Sequence, residues 1–185
     1  MVTGPSGAGK GTLIRALVAR RNDLEVAVSA TTRTLRAGEE DGREYYFLSE
    51  EEFVRLIEEH EFLEHVVYVG NRYGTLRSEV ERIFDQGKSC VLELETRGAR
   101  TVKEEMPESI TVFVAAPSFA ELERRLRDRA TESTGDIGER LEVARRQMDE
   151  AQDFDHAVVN DDVERAVAEL ENLVDAVLSG RLSPR

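Results

Sequence analysis

A glycine-rich loop with a single lysine lies near the start of the chain, between a short apolar strand and a predicted helix. Glycines allow several backbone N–H groups in such a loop to point at one anion, and the following helix adds its positive end. A lysine at this position can reach the outer phosphates of a nucleotide. A chance glycine-rich turn is the alternative. The loop comprises Gly4, Pro5, Ser6, Gly7, Ala8, Gly9, Lys10, Gly11 and Thr12.

The loop departs from the strict phosphate-binding pattern at one place. That pattern has a Ser or Thr directly after the lysine, where its hydroxyl contacts magnesium. Gly11 stands there in this chain, and Thr12 follows it. We therefore expect Thr12 to contact phosphate or Mg²⁺. The strand before the loop is also short, so it either has few residues or begins upstream of Met1.

A second anion-binding segment covers residues 29–39. Arg33 and Arg36 lie three residues apart beside several hydroxyl side chains. Guanidinium groups bind phosphate through paired N–H donors, so the segment predicts a site for a second phosphate. The net charge of −13 argues against a general nucleic-acid binder. A local arginine cluster can still hold one small phosphorylated ligand within an acidic surface.

The elements that position these residues alternate between strand and helix. This order predicts an α/β fold with a mostly parallel sheet flanked by helices. Residues 36–88 interrupt the main pattern of strands and helices, and we predict that they form a small insertion. Residues 130–138 are small and polar and predict a mobile flap. The predicted strands are 1–3, 25–29, 44–48, 62–69, 89–94, 110–114 and 156–159, and the predicted helices are 12–21, 49–59, 75–86, 98–105, 118–129, 139–152 and 162–178.

The composition indicates a globular chain of one domain. Hydrophobic residues make up 40% of it, and no apolar run is long enough to span a bilayer. The sequence shows no secretory signal, and its one cysteine, Cys90, fits packing in a reducing cytoplasm. The three histidines lack metal-ligand spacing and are interpreted as structural.

Together, these motifs resemble the guanylate kinase family over nearly the whole chain. The resemblance implies a P-loop three-layer fold with a GMP-binding insertion and a lid. It assigns the core to residues 1–29, 89–129 and 139–180, the GMP-binding part to about 30–88 and the lid to about 130–138. The motifs that carry it are the Gly4 to Gly7 loop, Thr31-Thr32-Arg33 with Arg36, Tyr45, Glu61 to Glu64, Tyr73-Gly74-Thr75, Arg129 with Arg140, and Val159 to Asp162.

The resemblance also implies roles at the acceptor site. Arg33, Arg36, Tyr45 and Tyr73 would hold the GMP phosphate, and Ser29, Glu64 and Thr75 would read the guanine. A carboxylate can accept from the N1–H and amino group of guanine, whereas adenine offers it no N1–H. The alternatives are an ordinary exposed glutamate at position 64 and two core aromatics at positions 45 and 73.

Two further acidic residues end a predicted strand beside these positions. Glu93 and Glu95 stand where the family has an acidic pair with aspartate second, and Arg97 replaces the usual glutamine. Glu95 is assigned to GMP binding, and the pair could assist magnesium or contact the guanine amino group. Charged residues at a solvated strand end are the alternative.

At the ATP site, the family pattern implies that Arg129 and Arg140 close over ATP and stabilise the charge of the transferred phosphoryl group. Lys10 and Arg33 complete the expected catalytic set, and Asn160 matches a residue that lines the adenine pocket. Ala130 replaces a usual glycine after the first lid arginine. The neighbouring arginines at positions 124, 125 and 127 are interpreted as a solvated helix face.

The implied activity is transfer of the γ-phosphoryl group of ATP to GMP, and to dGMP, with Mg²⁺, within purine nucleotide metabolism. The products are ADP and GDP. Neither nucleic acid nor membrane is expected as a partner, and the oligomeric state stays open. Two alternatives remain: a catalytically silent guanylate-kinase-like module that binds proteins, and a P-loop kinase for another phosphorylated acceptor.

Overall fold

The computed structural model describes residues 1–128 and 134–184. It contains both helices and parallel strands, which confirms the predicted α/β fold. The helices are α1 Lys10–Arg20, α2 Glu50–Glu58, α3 Arg77–Asp85, α4 Thr96–Glu105, α5 Phe119–Asp128, α6 Thr134–Asp149 and α7 Val163–Leu178. The strands are β1 Val2–Thr3, β2 Leu24–Val26, β3 Ala30–Thr31, β4 Tyr46–Phe47, β5 Phe62–Tyr68, β6 Asn71–Leu76, β7 Ser89–Val91, β8 Val112–Ala115 and β9 His156–Val159.

Met1–Arg21 and Glu93–Arg185 form one compact unit, called the phosphate-loop unit below. Its sheet has the order β1-β8-β9, and both strand pairs are parallel. Phe113, Val114 and Val158 are fully buried in it. Helix α1 packs against α7 in the same unit. Parallel strands covered by helices must be apolar on both faces, which explains the apolar run in β8.

Asn22–Leu92 form a second compact unit, called the arginine-pair unit because it contains Arg33 and Arg36. It has a parallel pair, β2 with β7, and a four-stranded sheet of order β4-β3-β6-β5. Phe53 of α2 stacks on Phe62 with ring centroids 4.4 Å apart and forms the core of this sheet with Ala30. The unit extends beyond the predicted range of 30–88 because β2 and β7 pair with each other.

Helix capping follows the sequence pattern at three helices. Ser49 Oγ accepts from the Glu52 N–H at 3.1 Å before α2, and Ser118 Oγ accepts from the Glu121 N–H at 3.2 Å before α5. Asp162 caps α7 in the same way. These side chains satisfy N–H groups that the first turn of a helix leaves unpaired.

The predicted helix over 75–86 is wrong at its start. Tyr73, Gly74 and Thr75 belong to strand β6, and α3 begins only at Arg77. Pairing of β6 with both β3 and β5 holds these residues extended. The predicted flap also differs, because α6 begins at Thr134 and makes residues 134–138 helical.

In the described part of the chain, no helix is long and apolar enough to cross a membrane. Over the same residues, no three His, Cys, Asp or Glu side chains are grouped as a metal ion would require.

Candidate functional site

The backbone of the phosphate loop needs its glycines. Gly4 has φ +134°, and a Cβ there would lie 2.2 Å from the Val114 carbonyl oxygen. Gly9 has φ +92°, and its Cβ would lie 2.3 Å from Asn160 Nδ2. Both positions therefore combine a left-handed backbone with space for hydrogen alone. The loop lies against β8 at one end and against Asn160 at the other.

Lys10 begins α1 and folds back over the loop. Its ammonium group donates to the Gly4 carbonyl at 2.6 Å and to the Pro5 carbonyl at 3.4 Å, and the residue is only 8% exposed. The Gly9 carbonyl accepts from the N–H groups of Thr12 and Leu13. The loop, the lysine and the helix N-terminus thus form one electropositive cradle, as predicted for a phosphate site.

Side chains from distant parts of the phosphate-loop unit hold this loop. Asn160 Nδ2 donates to the Ala8 carbonyl at 2.8 Å. Arg125 donates to the Asn160 carbonyl at 3.0 Å and to the Ala8 carbonyl at 3.5 Å. Arg140 of α6 donates to Ser6 Oγ at 3.1 Å. Asn160 was predicted to line an adenine pocket, and its amide is engaged with the loop backbone.

Arg125 is predicted from the sequence to lie on a solvated helix face, and this prediction is wrong. Its guanidinium binds Glu121 at 2.7 Å on its own helix and then reaches the loop. Arg125 follows buried Leu122 by three residues, so it lies on the side of α5 that packs inward. That spacing is the sequence signal that could have identified it. Arg124 and Arg127 are exposed and pair with acids of α5.

The residues around Gly11 can supply oxygen ligands to a metal. Thr12 is exposed, and the Glu93 carboxylate lies 3.3 Å from the place that a Gly11 Cβ would occupy. Burial among the surrounding protein raises the pKa of Glu93, while Lys10 and Arg15 act against that rise. The residue as a whole nevertheless keeps an exposed surface. Hydroxyl and carboxylate oxygens suit Mg²⁺.

Glu95 lies half-buried in the phosphate-loop unit, at the N-terminus of α4. It accepts a hydrogen bond from Gln147 Nε2 at 2.8 Å. Gln147 lies on α6, two turns after Arg140, so this helix contacts both the phosphate loop and Glu95. The solvated strand end that was the alternative therefore does not describe Glu95, whereas Arg97 is exposed.

The arginine-pair unit brings together three of the four residues predicted to bind the acceptor phosphate. The Arg33 guanidinium lies over the Tyr45 ring at 5.3 Å, and the Tyr45 and Tyr73 rings meet edge to face at 5.9 Å. Both tyrosines are half-buried, unlike core aromatics. Arg36 is exposed. Its backbone N–H donates to Glu39, which also binds the Arg33 guanidinium.

The structure also pairs two residues predicted to read a base. Glu64 and Thr75 face each other across β5 and β6, and Thr75 Oγ1 donates to Glu64 Oε1 at 3.0 Å. Glu64 is 5% exposed, so the exposed-glutamate alternative is wrong. A buried carboxylate requires hydrogen-bond donors, and Thr75 supplies one. Ser29 is half-buried, and its carbonyl accepts from the Tyr46 N–H at 2.9 Å.

Sequence reasoning missed Glu79, a buried carboxylate of α3. It accepts from the Val28 N–H at 3.1 Å, the Tyr46 hydroxyl at 3.3 Å and the Arg82 guanidinium at 2.8 Å. Burial raises the pKa of Glu79, but the bonds from Arg82 and Val28 outweigh burial and lower it overall. Glu79 thereby connects α3 with the segment before Ser29. The spacing of Glu79 and Arg82 is the only sequence signal for this network.

Arg129 lies outside the described residues, as do residues 130–133 of the predicted lid. Cys90 is half-buried, and burial raises the pKa of its thiol to about 12. The thiol therefore stays protonated at neutral pH and supplies no nucleophile, which agrees with a packing role.

The glycine-rich cradle, Lys10 and the parallel sheet behind them define an α/β protein of the P-loop class. The chain belongs to the guanylate kinase family, since the family profile described as Guanylate kinase matches residues 1–177.

Curated relatives and a solved structure agree with that membership. A guanylate kinase of Synechococcus sp. (strain JA-3-3Ab) is 47% identical over 94% of this chain and 80% of its own length. A guanylate kinase of Rubrobacter xylanophilus is 47% identical over 97% of this chain and 94% of its own. The crystal structure of guanylate kinase from Anaplasma phagocytophilum is 31% identical and has a TM-score of 0.78. That match covers 95% of this chain and 82% of the other.

Proposed function

We propose that this chain transfers the γ-phosphoryl group of ATP to GMP and dGMP, giving ADP with GDP or dGDP, in cytoplasmic purine nucleotide metabolism. The observation that best supports this proposal is the buried Glu64–Thr75 pair. It lies in the same unit as the arginine–tyrosine cluster, which consists of Arg33, Tyr45 and Tyr73. A buried carboxylate suits a base with adjacent N–H donors, and the arginine–tyrosine cluster suits the phosphate of that nucleotide.

In this proposal the phosphate-loop unit binds ATP. The loop N–H groups and Lys10 surround the phosphates, while Arg125, Arg140 and Asn160 keep the loop in shape. Lys10 already lies at the loop, so its positive charge is available where negative charge develops in the transition state. Arg140 and Arg129 are proposed to add positive charge from α6 and from the lid at about 130–138.

The arginine-pair unit would bind GMP. Arg33, Arg36, Tyr45 and Tyr73 would hold its phosphate, and Ser29, Glu64 and Thr75 would read its guanine. Glu95 is also proposed to contribute to GMP binding. No covalent intermediate is required, because a phosphate oxygen of GMP can attack the γ-phosphorus in line once both nucleotides are positioned.

Thr12 and Glu93 are the residues that would hold Mg²⁺ with ATP. The ion would supply additional positive charge to the phosphate oxygens. Exclusion of water by the protein would suppress simple hydrolysis of ATP.

A coupled assay of ADP release with GMP, dGMP, AMP and UMP tests the proposal. We expect kcat/KM for GMP to exceed that for AMP by about 10⁴-fold, because a site built around hydrogen bonds to one base rejects another strongly. Comparable rates with AMP would favour a kinase for a different acceptor. No ADP release with any acceptor would favour the silent protein-binding module.

A further inference from the structure

The hydrogen bonds of Arg33 divide its guanidinium into two sides. A guanidinium carries five N–H donors in a plane. Nη1 and Nη2 each donate to the Glu39 carboxylate, at 3.0 and 2.9 Å, and Nη1 also donates to the Thr34 carbonyl at 2.8 Å. Three donors are thus used at the end of the side chain.

The remaining two donors are Nε–H and the second N–H of Nη2, which point the same way along one edge of the guanidinium. In residues 1–128 and 134–184, no acceptor lies within hydrogen-bond distance of either. Two parallel N–H groups on one edge form the fork that binds two oxygens of a phosphate. The side chain therefore presents an intact fork although it is already in an ion pair.

Glu39 is itself held in place. Its Oε2 accepts from the Arg36 N–H at 2.8 Å, and its own N–H donates to the Arg36 carbonyl at 3.1 Å. The side chains of Arg33 and Glu39 are 12% and 18% exposed, so solvent screens the pair only in part. The Tyr45 and Phe47 rings lie under the guanidinium at 5.3 and 5.5 Å. Together these contacts leave Arg33 little freedom to rotate.

We propose that Glu39 is a positioning residue for the acceptor phosphate. It takes the end-on donors of Arg33 and thereby fixes the side-on fork for two phosphate oxygens. Glu39 acts through Arg33, because a carboxylate in direct contact with the phosphate would repel it. This inference rests on the proposed function, in which Arg33 binds the phosphate of GMP.

The opposite arrangement makes a different prediction. If Glu39 competed with the phosphate for the same donors, its neutralisation would strengthen GMP binding. If Glu39 only stabilised its loop, its loss would act equally on every property of the enzyme. A positioning role requires that the loss of Glu39 weaken the binding of GMP specifically.

The variant Glu39→Gln tests these readings, with Glu44→Gln as the matched control. Glu44 lies in the same segment, bonds the Glu40 N–H at 2.8 Å and the Arg43 guanidinium at 2.8 Å, and undergoes the same change of charge. We expect Glu39→Gln to raise KM for GMP about tenfold, the size expected when a hydrogen bond to a charged group is weakened. KM for ATP should change less than about twofold, as should all parameters of Glu44→Gln.

A double-mutant cycle separates positioning through Arg33 from an independent effect. Lysine has no planar fork for Glu39 to orient, so Glu39→Gln should add less than about a twofold change in the Arg33→Lys background. Additive effects on KM for GMP would overturn the proposal, as would tighter GMP binding in the single variant. Glu39→Asp, which keeps the charge on a shorter side chain, should give an intermediate KM and serves if Glu39→Gln fails to fold.

The outcomes also separate this inference from the proposed function. A wild-type enzyme that releases no ADP with GMP would refute the proposed function. An active wild type with identical Glu39→Gln and Glu44→Gln variants would refute the positioning role alone.

Discussion

Gln147 donates its side-chain amide to Glu95 at 2.8 Å, which joins the last turn of α6 to the N-terminus of α4. Gln147 is 6% exposed, and its Oε1 has no partner among the described residues. The amide holds the Glu95 carboxylate without neutralising its charge. Because α6 also carries Arg140, which bonds Ser6, displacement of this helix would affect the phosphate loop and Glu95 together.

Gln147→Glu should make activity sensitive to alkaline pH. Two carboxylates at this distance disfavour simultaneous ionisation, so the introduced glutamate should repel and displace Glu95 once both groups have lost their protons. We expect kcat/KM for GMP to fall about tenfold at alkaline pH and less at acidic pH, measured as a pH profile. Gln147→Met keeps the volume without a charge and should show a loss that is independent of pH. Parallel profiles for the two variants would contradict this account.

Lys10→Met should lower kcat for GMP phosphorylation by about 10²- to 10³-fold, because a positioned cation at the developing charge is lost. Lys88→Met is the control. Lys88 pairs with Glu25 in the arginine-pair unit and has no proposed part in the reaction. Near-normal turnover of Lys10→Met would remove this lysine from the mechanism.

Asn160→Asp should raise KM for ATP by about tenfold or more, while KM for GMP stays near the wild-type value. The substitution turns the donor facing the Ala8 carbonyl into an acceptor, so the loop must move away from it. The neighbouring variant Asp161→Asn alters an exposed ion pair with Arg165 and should have little effect. Equal changes in both Michaelis constants would indicate general loss of structure.

Glu64→Gln should reduce kcat/KM for GMP by about 10²-fold and leave the low rate with AMP unchanged or higher. The substitution replaces one acceptor oxygen with an NH₂ group that cannot accept from guanine. Glu61→Gln changes an exposed carboxylate nearby and serves as the control. An unchanged GMP/AMP ratio would exclude Glu64 from base recognition.

Glu79→Gln should destabilise the folded protein by about 2 kcal/mol at neutral pH, the usual size for breaking a buried bond to a charged group. The pKa of Glu79 is lowered in the folded state, so its stabilising effect is full above the ordinary glutamate pKa. It is lost as pH falls through the lowered value. Urea denaturation across this acidic range should therefore show that the difference in unfolding free energy between wild type and variant shrinks as pH falls. A gap that does not change with pH would contradict the assignment.

The fold class, the helix caps and the glycine-rich loop could be predicted from local sequence. Ser49, Ser118 and Asp162 act through neighbours three residues away, which a linear pattern reveals. Glycine spacing predicted the phosphate loop for the same reason. The resemblance to the guanylate kinase family is confirmed by the family match over residues 1–177.

The contacts that support the site could not be predicted from local sequence, because their partners are far apart in the chain. Arg125 bonds a carbonyl 117 residues away, and Gln147 bonds a carboxylate 52 residues away. The predicted helix over 75–86 includes Thr75 and Leu76, which the structure places at the end of β6, where pairing with β5 keeps them extended. The separate roles of the site residues in catalysis stay predictions for the experiments above.

The bond between Asn160 and Ala8 spans 152 residues, so the first loop of the chain is completed by one of its last strands. During synthesis, the ribosome would release the N-terminal loop long before β9 exists to support it. Nascent chains that stop short of Asn160 should therefore bind ATP poorly even when α1 has formed. The capacity to bind nucleotide would then arise only once Asn160 has been added to the growing chain.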